Sequence, residues 1–445
     1  MKAMMVSLGC DKNRVDSEMM LGLLADNGYE ITDDEAEADV VVINSCSFIS
    51  DAKEESINTI IELGELKNTA KLKCLVCAGC LAQRYSDEIQ SEMPEVDVII
   101  GTRSFHRLIE GINQFLSTNE KTVILEDVNG ALPYGHRRVT WGAGHYAYLK
   151  IADGCDKKCT YCAIPGFRGG FRSVPMEVLL KEAAHLVENG AKELILVAQE
   201  TTIYGVDLYG RKMLHELIRE LAKLKDLVWI RLLYCYPEEI YDELVELFGT
   251  EKKLCHYIDM PVQHGDDYIL KRMGRRTDSR LIRNVVKRLR AVAPDIVIRT
   301  TLIAGFPGEK EEHFKNLIDF VKEMRFDRLG VFPYSAEEGT VAAGMTDKVK
   351  ENTKKSRCRE IMEVQQAIAF EKADKMIGQT LEVMVEGTIN NEALVCRSYM
   401  DAPDVDGYIF VPSELDLTGG TMLKVRITGS NEYDLIGEIT DEFTE

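Results

Sequence analysis

Residues 154–162 read GCDKKCTYC, with Cys155, Cys159 and Cys162 in a C-x3-C-x2-C spacing. A structural zinc site takes four ligands, and its cysteines come as C-x2-C pairs. A ferredoxin-type iron–sulfur site closes its cluster with four thiolates. Here the next cysteine downstream is Cys235. The stretch therefore reads as a cluster loop that leaves one iron without a protein ligand. It follows the strand candidate YAYLKIA (146–152), so the fold turns on what alternates around it.

Strands and helices alternate on both sides. Upstream, KAMMVSL, DVVVINS, LKCLVCA and VDVIIG read as strands, and SEMMLGLLADNG, DAKEESINTIIELGELK and SDEIQSEM as helices. Such alternation implies a parallel sheet with helices on both faces, here a domain over 1–133. YGHRRVTWGAGH (134–145) has turn residues and little apolar period, and reads as a linker. From 146 the β–α unit recurs six times, on YAYLKIA, ELILVAQ, VWIRLLY, YIDMPV, IVIRTTLIA and RLGVFPY. Six units suggest a partly closed (β/α)6 barrel, with a trailing helix completing a domain over 146–377. From 378 to 445, five short strands with glycine-bearing turns suggest a small antiparallel β-barrel.

Composition bounds the class. A chain of 445 residues exceeds one core and divides into two or three domains. No run is long and apolar enough for a membrane helix, and the start MKAMMVSLGCDKNRVDSE lacks the pattern of a cleavable signal. Twelve cysteines then suggest reduced thiols and metal in a cytoplasmic protein, not a disulfide framework. A net charge of −20 opposes bulk binding to nucleic acid. From Gly378 onward 14 Asp/Glu face 3 Lys/Arg, a net of −11. That acidity fits a solvated surface or a docking surface for a basic partner.

The chemistry gathers at strand ends, where parallel folds keep their reactive groups. Cys155 follows the first barrel strand, and AQETTIYG, YCYPEE, PVQHGDD, GFPGE and PYSAEEGT follow the others. The cysteine spacing, with Tyr161 before the last thiol, resembles the defining loop of the radical S-adenosylmethionine (SAM) superfamily. That resemblance implies a 4Fe-4S cluster on three thiolates, with SAM chelating the open iron and yielding a 5′-deoxyadenosyl radical. GFPGE (305–309) sits at a strand-to-helix turn, which makes Gly305, Phe306, Pro307 and Gly308 candidate SAM contacts. Gln199, Glu200 and Arg299 lie on or near strands feeding the same mouth, as SAM or substrate contacts or as ordinary polar residues.

The first domain repeats the pattern. Cys10, Cys46 and Cys80 each end a different strand, so three carboxyl-edge thiols come together as a second open triad. A local cluster on Cys74, Cys77 and Cys80 is the rival, disfavoured because Cys74 begins its strand about 20 Å from the far end. Cys74, Cys77, Cys235, Cys255, Cys358 and Cys396 read as buried free thiols.

VSLGCDKNRVDSE, NSCSFI, AGCLAQRY, GCDKKCTYCAIPGFRGGFRS, QETTIYGVDLYG, DMPVQHG and GFPGE together resemble the radical SAM methylthiotransferase family across essentially the whole chain. The resemblance implies two 4Fe-4S clusters, on Cys10, Cys46 and Cys80 and on Cys155, Cys159 and Cys162, and a C-terminal TRAM domain. It implies insertion of a methylthio group at an unactivated C–H bond, with a second SAM as methyl source and with a sulfur donor and an electron donor as partners. LGCDKNRVDSE, IPGFRGGFRS, QETTIYG and FPYSAEEGT are similar to the branch that modifies an aspartate β-carbon in a basic small-subunit ribosomal protein. The other branch modifies a tRNA adenosine, and the acidic C-terminal region opposes it. Val174 departs from the pattern, standing where a basic residue is expected. A non-catalytic iron–sulfur carrier and an RNA-binding module are the readings from other classes.

Overall fold

A computed structural model describes residues 1–142, 144–390 and 392–440. The first sheet is parallel throughout, built from β1 (Lys2–Ser7), β2 (Glu30–Ile31), β3 (Val40–Ser45), β4 (Cys74–Gly79), β5 (Val98–Ile100) and β6 (Thr122–Ile124). Its spatial order is β2-β1-β3-β4-β5-β6. β3 and β4 are buried along their whole length, as strands covered by helices on both faces must be. β2 and β6 were not foreseen, because two- and three-residue strands carry no period to read.

The second sheet starts at β7 (Tyr146–Lys150). A short antiparallel pair, β8 (Ala152–Asp153) with β9 (Arg172–Ser173), brackets the cysteine loop. The sheet continues through β10 (Glu193–Val197), β11 (Trp229–Leu232), β12 (Leu254–Asp259), β13 (Val297–Ala304) and β14 (Arg328–Pro333). All six main strands are parallel, in the order β14-β13-β12-β11-β10-β7, and β7 and β14 stay unjoined. Alternate residues divide the sheet's two faces. Leu149, Leu194, Leu196, Ile230, Leu232 and Ile298 pack outward against helices. Tyr148, Ile195, Val197, Trp229, Tyr257 and Val297 point inward, into an apolar cluster shared with the first and last domains. Val174 is buried in the outward core and donates its N–H to the Ile151 carbonyl at 2.8 Å, a setting that has no place for a basic side chain.

The last domain closes as a barrel, β15 (Thr380–Ile389), β16 (Ala393–Ser398), β17 (Ile409–Pro412), β18 (Met422–Asn431) and β19 (Asp434–Ile439), in the order β15-β16-β17-β19-β18. It is antiparallel except where β19 returns beside β17 in parallel. It docks on the open barrel through buried charges. Glu193 on β10 holds Arg231 at 2.6 Å and Arg397 of the last domain at 2.8 Å, with all three side chains fully buried. Part of the C-terminal acidity is consumed inside. Asp401 pairs with Arg328 at 2.6 Å, and Asp406 accepts from Tyr257 Oη at 2.6 Å. Among the described residues no helix is long and apolar enough to cross a membrane.

Candidate active site

β1, β3 and β4 are neighbours, so their carboxyl ends deliver three thiols to one place. Cys10 caps the helix Asp11–Asp26, Cys46 follows β3 directly, and Cys80 opens the helix Cys80–Arg84. Gly9 has φ +88°, and a Cβ there would lie 2.7 Å from the Cys46 Cβ. Only glycine lets the two loops pass this closely. Burial pushes the Cys80 thiol up to about 12, with Arg168 pulling it down and Cys10 and Cys46 adding to the rise. The three thiols therefore share one electrostatic neighbourhood. Among the described residues no three Cys, His, Asp or Glu side chains are grouped to hold a single metal ion. Cysteines that each take their own iron of a cluster stand further apart than ligands of one ion, and an all-thiol donor set suits iron–sulfur.

The second triad is more local. Cys155 follows β8, and Cys162 precedes the helix Ile164–Arg168. Gly154 has φ +78°, and a Cβ there would stand 2.1 Å from the Gly170 carbonyl oxygen, so the loop's entry requires glycine. Burial pushes Cys155 up to about 11 and Cys162 up to about 12. Cys159 adds to the rise of both and Cys155 to that of Cys162, so loading iron here releases protons. Thr160 anchors the loop, donating from N to Met273 O at 2.9 Å and from Oγ1 to Arg272 O at 2.8 Å.

The other candidates fall into two groups. Tyr161 packs on a small core of Ile269, Met273, Phe306, Tyr334 and Ala342, which brings the 305–308 turn beside the cysteine loop. Glu309 locks that turn, its Oε2 accepting from Gly305 N at 2.8 Å and Phe306 N at 3.3 Å. On the side where a Cβ would stand, Gly305 is met by Lys354 and Gly308 by Arg272 and Asp347. Gln199 donates to Asp153 Oδ1 at 3.0 Å and leaves Oε1 unpartnered. Glu200 lies close enough to Cys155 to raise its thiol, is buried, and has Oε2 unpartnered; burial pushes its carboxyl up to about 7. Unpartnered buried acceptors beside three thiols mark a place built for a polar ligand. Arg299 lies elsewhere, on the wall of a cavity of about 700 Å³. That cavity is walled by Gly9 and Cys10 of the first domain, Tyr148, Tyr234 and Arg299 of the barrel, and Asp404 of the last domain.

One residue that the sequence did not single out joins the two triads. Arg168 ends the helix that begins just after Cys162, and its side chain is 3% exposed. It reaches Asp16 at 2.9 Å, Asp153 at 3.1 Å and the Cys80 sulfur at 3.4 Å, and it also donates to Asn13. Lys150 bridges the same two aspartates. Of the thiols read as free, Cys74, Cys77, Cys235, Cys255 and Cys396 are buried, and Cys358 is partly exposed.

Comparison with known proteins gives three family matches along the chain. Residues 2–101 match the uncharacterized protein family UPF0004, 149–321 the radical SAM superfamily, and 377–440 the TRAM domain. The ribosomal protein uS12 methylthiotransferase RimO of Lachnoclostridium phytofermentans is 54% identical, covering 98% of this chain and 99% of its own. RimO of Acetivibrio thermocellus is 47% identical, covering 99% of each chain. Among solved structures, the radical SAM methyltransferase TsrM of Kitasatospora setae aligns with TM-score 0.53 at 13% identity, over 74% of this chain and 72% of that one. The cobalamin-dependent SAM radical enzyme OxsB aligns with TM-score 0.51 at 13% identity, over 82% of this chain and 61% of that one. At such identities the likeness is one of fold.

Proposed function

The chain belongs to the RimO family of radical SAM methylthiotransferases, and on that premise we propose that it places a methylthio group on the β-carbon of an aspartate in ribosomal protein uS12. As a radical SAM enzyme it takes a 4Fe-4S cluster and SAM. Cys155, Cys159 and Cys162 would hold that cluster, and Cys10, Cys46 and Cys80 a second one. Bound there, these groups would supply a hydrogen-abstracting 5′-deoxyadenosyl radical and a sulfur atom for transfer. Tyr161, Gln199, Glu200 and the Gly305–Gly308 turn flank the first site and would contact SAM.

The observation that carries this reading is Arg168, whose helix starts beside Cys162 and whose guanidinium touches Cys80. Two open triads tied by one rigid turn serve a reaction that needs a radical and a sulfur at one carbon. A carrier that only stores electrons has no use for such convergence. The protein's own part is to orient and to exclude water: Tyr148, Tyr234 and Leu233 line the cavity beside Cys10 with apolar surface. The acids that stay exposed on the last domain, such as Glu382, Glu392, Glu414, Asp416 and Glu432, favour a basic protein over a phosphate backbone. A sulfur donor and an electron donor complete the system.

The test is anaerobic incubation of the reconstituted protein with SAM, reductant and sulfide, with uS12 and unmodified tRNA in parallel. Mass spectrometry should find one methylthio group on a uS12 aspartate and none on tRNA. Modification of tRNA alone would reverse the choice of branch.

A further inference from the structure

Two cations line the 700 Å³ cavity, Arg14 and Arg299. Arg14 has its donors committed: to Glu18 at 3.4 Å, to Tyr146 Oη at 3.4 Å and to the Trp141 carbonyl. Arg299 does not. It lies on β13 two residues after the inward-facing Val297, and its side chain is 24% exposed. Among the described residues it makes only two loose ion pairs, Nη1 to Asp259 Oδ1 and Nε to Asp406 Oδ1, each at 3.7 Å. Neither is within hydrogen-bond range. Asp406 is held elsewhere, its Oδ2 accepting from Tyr257 Oη at 2.6 Å and Ala402 N at 2.9 Å. Asp259 accepts from Tyr234 N at 3.1 Å through Oδ2, and its Oδ1 has no hydrogen-bond partner. A guanidinium carries five donors in a planar fork that matches a carboxylate. Here the fork is positioned by charge on both sides and its hydrogen bonds are unspent.

We propose that Arg299 is the substrate-recognition residue of this cavity, receiving the side-chain carboxylate of the target aspartate while that residue lies beside Cys10. The assignment rests on the uS12 reading above. Of the two ligand contacts open to Arg299, SAM or substrate, it takes the second. Arg328 pairs with Asp401 at 2.6 Å and stands 3.9 Å from Asp406, so Asp406 has a second cation besides Arg299. Burial also raises the Asp259 carboxyl above its ordinary range, which weakens its claim on Arg299. The TRAM loop thereby acquires a role: Asp406 holds the receptor's orientation, and the Pro403–Val405 stretch walls the cavity. An amide in place of the carboxylate offers one acceptor oxygen and no charge, so the site discriminates aspartate from asparagine.

The experiment compares uS12 with uS12 whose target aspartate is changed to asparagine. Binding of each is measured by anisotropy, and KM and kcat are measured on the aspartate form. The wild type should bind the aspartate form about tenfold or more tighter, the value of a charged hydrogen bond against a neutral one. Arg299→Gln should bring that ratio near one, with the loss falling on KM, and Arg299→Lys should restore part of it. If Arg299 only braces the TRAM loop, both forms weaken together and the ratio survives, which overturns the assignment. A wild type with no preference overturns it equally. A wild type that neither binds nor modifies uS12 removes the reading beneath, and the assignment with it. Should Arg299→Gln fail to fold, the ratio for Arg299→Lys decides.

Discussion

Arg168→Gln is the substitution with the largest expected effect on the joint between the two triads. The wild-type guanidinium sits among Asp16 at 2.9 Å, Asp153 at 3.1 Å, Asn13 and Cys80, essentially out of solvent. Glutamine removes the charge and leaves both aspartates buried. Breaking a buried pair by deleting one partner costs about 3–5 kcal/mol. Lys150 remains on both carboxylates, so the lower end, about 3 kcal/mol, applies. At roughly 2–4 °C per kcal/mol for a cooperative unit of a few hundred residues, melting should fall by about 6–12 °C. The cluster-free protein can be followed by calorimetry and by tryptophan fluorescence. Its only tryptophans are Trp141, in the linker that Arg14 grips, and Trp229, in the barrel. The Trp141 signal should move first. Adding Asp16→Asn should recover part of the loss by removing a carboxylate that lacks its partner. A shift under about 2 °C would mean that this network does not hold the domains together.

Gly9→Ala should lower iron at the first-domain site and spare the barrel site, because its methyl group collides with Cys46; equal loss at both sites by iron analysis would contradict this. Changing Cys10, Cys46 and Cys80 together to alanine should remove about half the iron while 5′-deoxyadenosine is still released, and uS12 should stay unmodified. Glu200 has its folded value raised from 4.5 to about 7, so in the cluster-free protein it costs stability as pH rises from 4.5 to 7, on the order of 3 kcal/mol in all. Glu200→Gln should therefore be more stable than the wild type in urea at pH 8 and no more stable near pH 4.5. A pH-independent difference would refute that environment.

What the sequence disclosed and what it hid have physical causes. Cys10, Cys46, Cys80 and Cys155 could be placed because β–α alternation says where parallel strands end, and strand ends converge whatever lies between them. The short β8–β9 pair that brackets the cysteine loop, like β2 and β6, was invisible, since pieces this small show no periodicity. Arg168 stood in plain view in IPGFRGGFRS, yet its partner Asp16 is 152 positions away, and no local pattern names a partner across that distance. The charge count from Gly378 onward was right in sum and incomplete in meaning: Asp401 and Asp406 face arginines of the barrel, not solvent.

The most direct measurement uses uS12 deuterated at the β-carbon of its aspartates. After anaerobic turnover with SAM, the released 5′-deoxyadenosine is weighed by mass spectrometry. The account predicts deuterium in 5′-deoxyadenosine, in step with methylthiolated uS12. Methylthiolated uS12 accompanied only by unlabelled 5′-deoxyadenosine would contradict it.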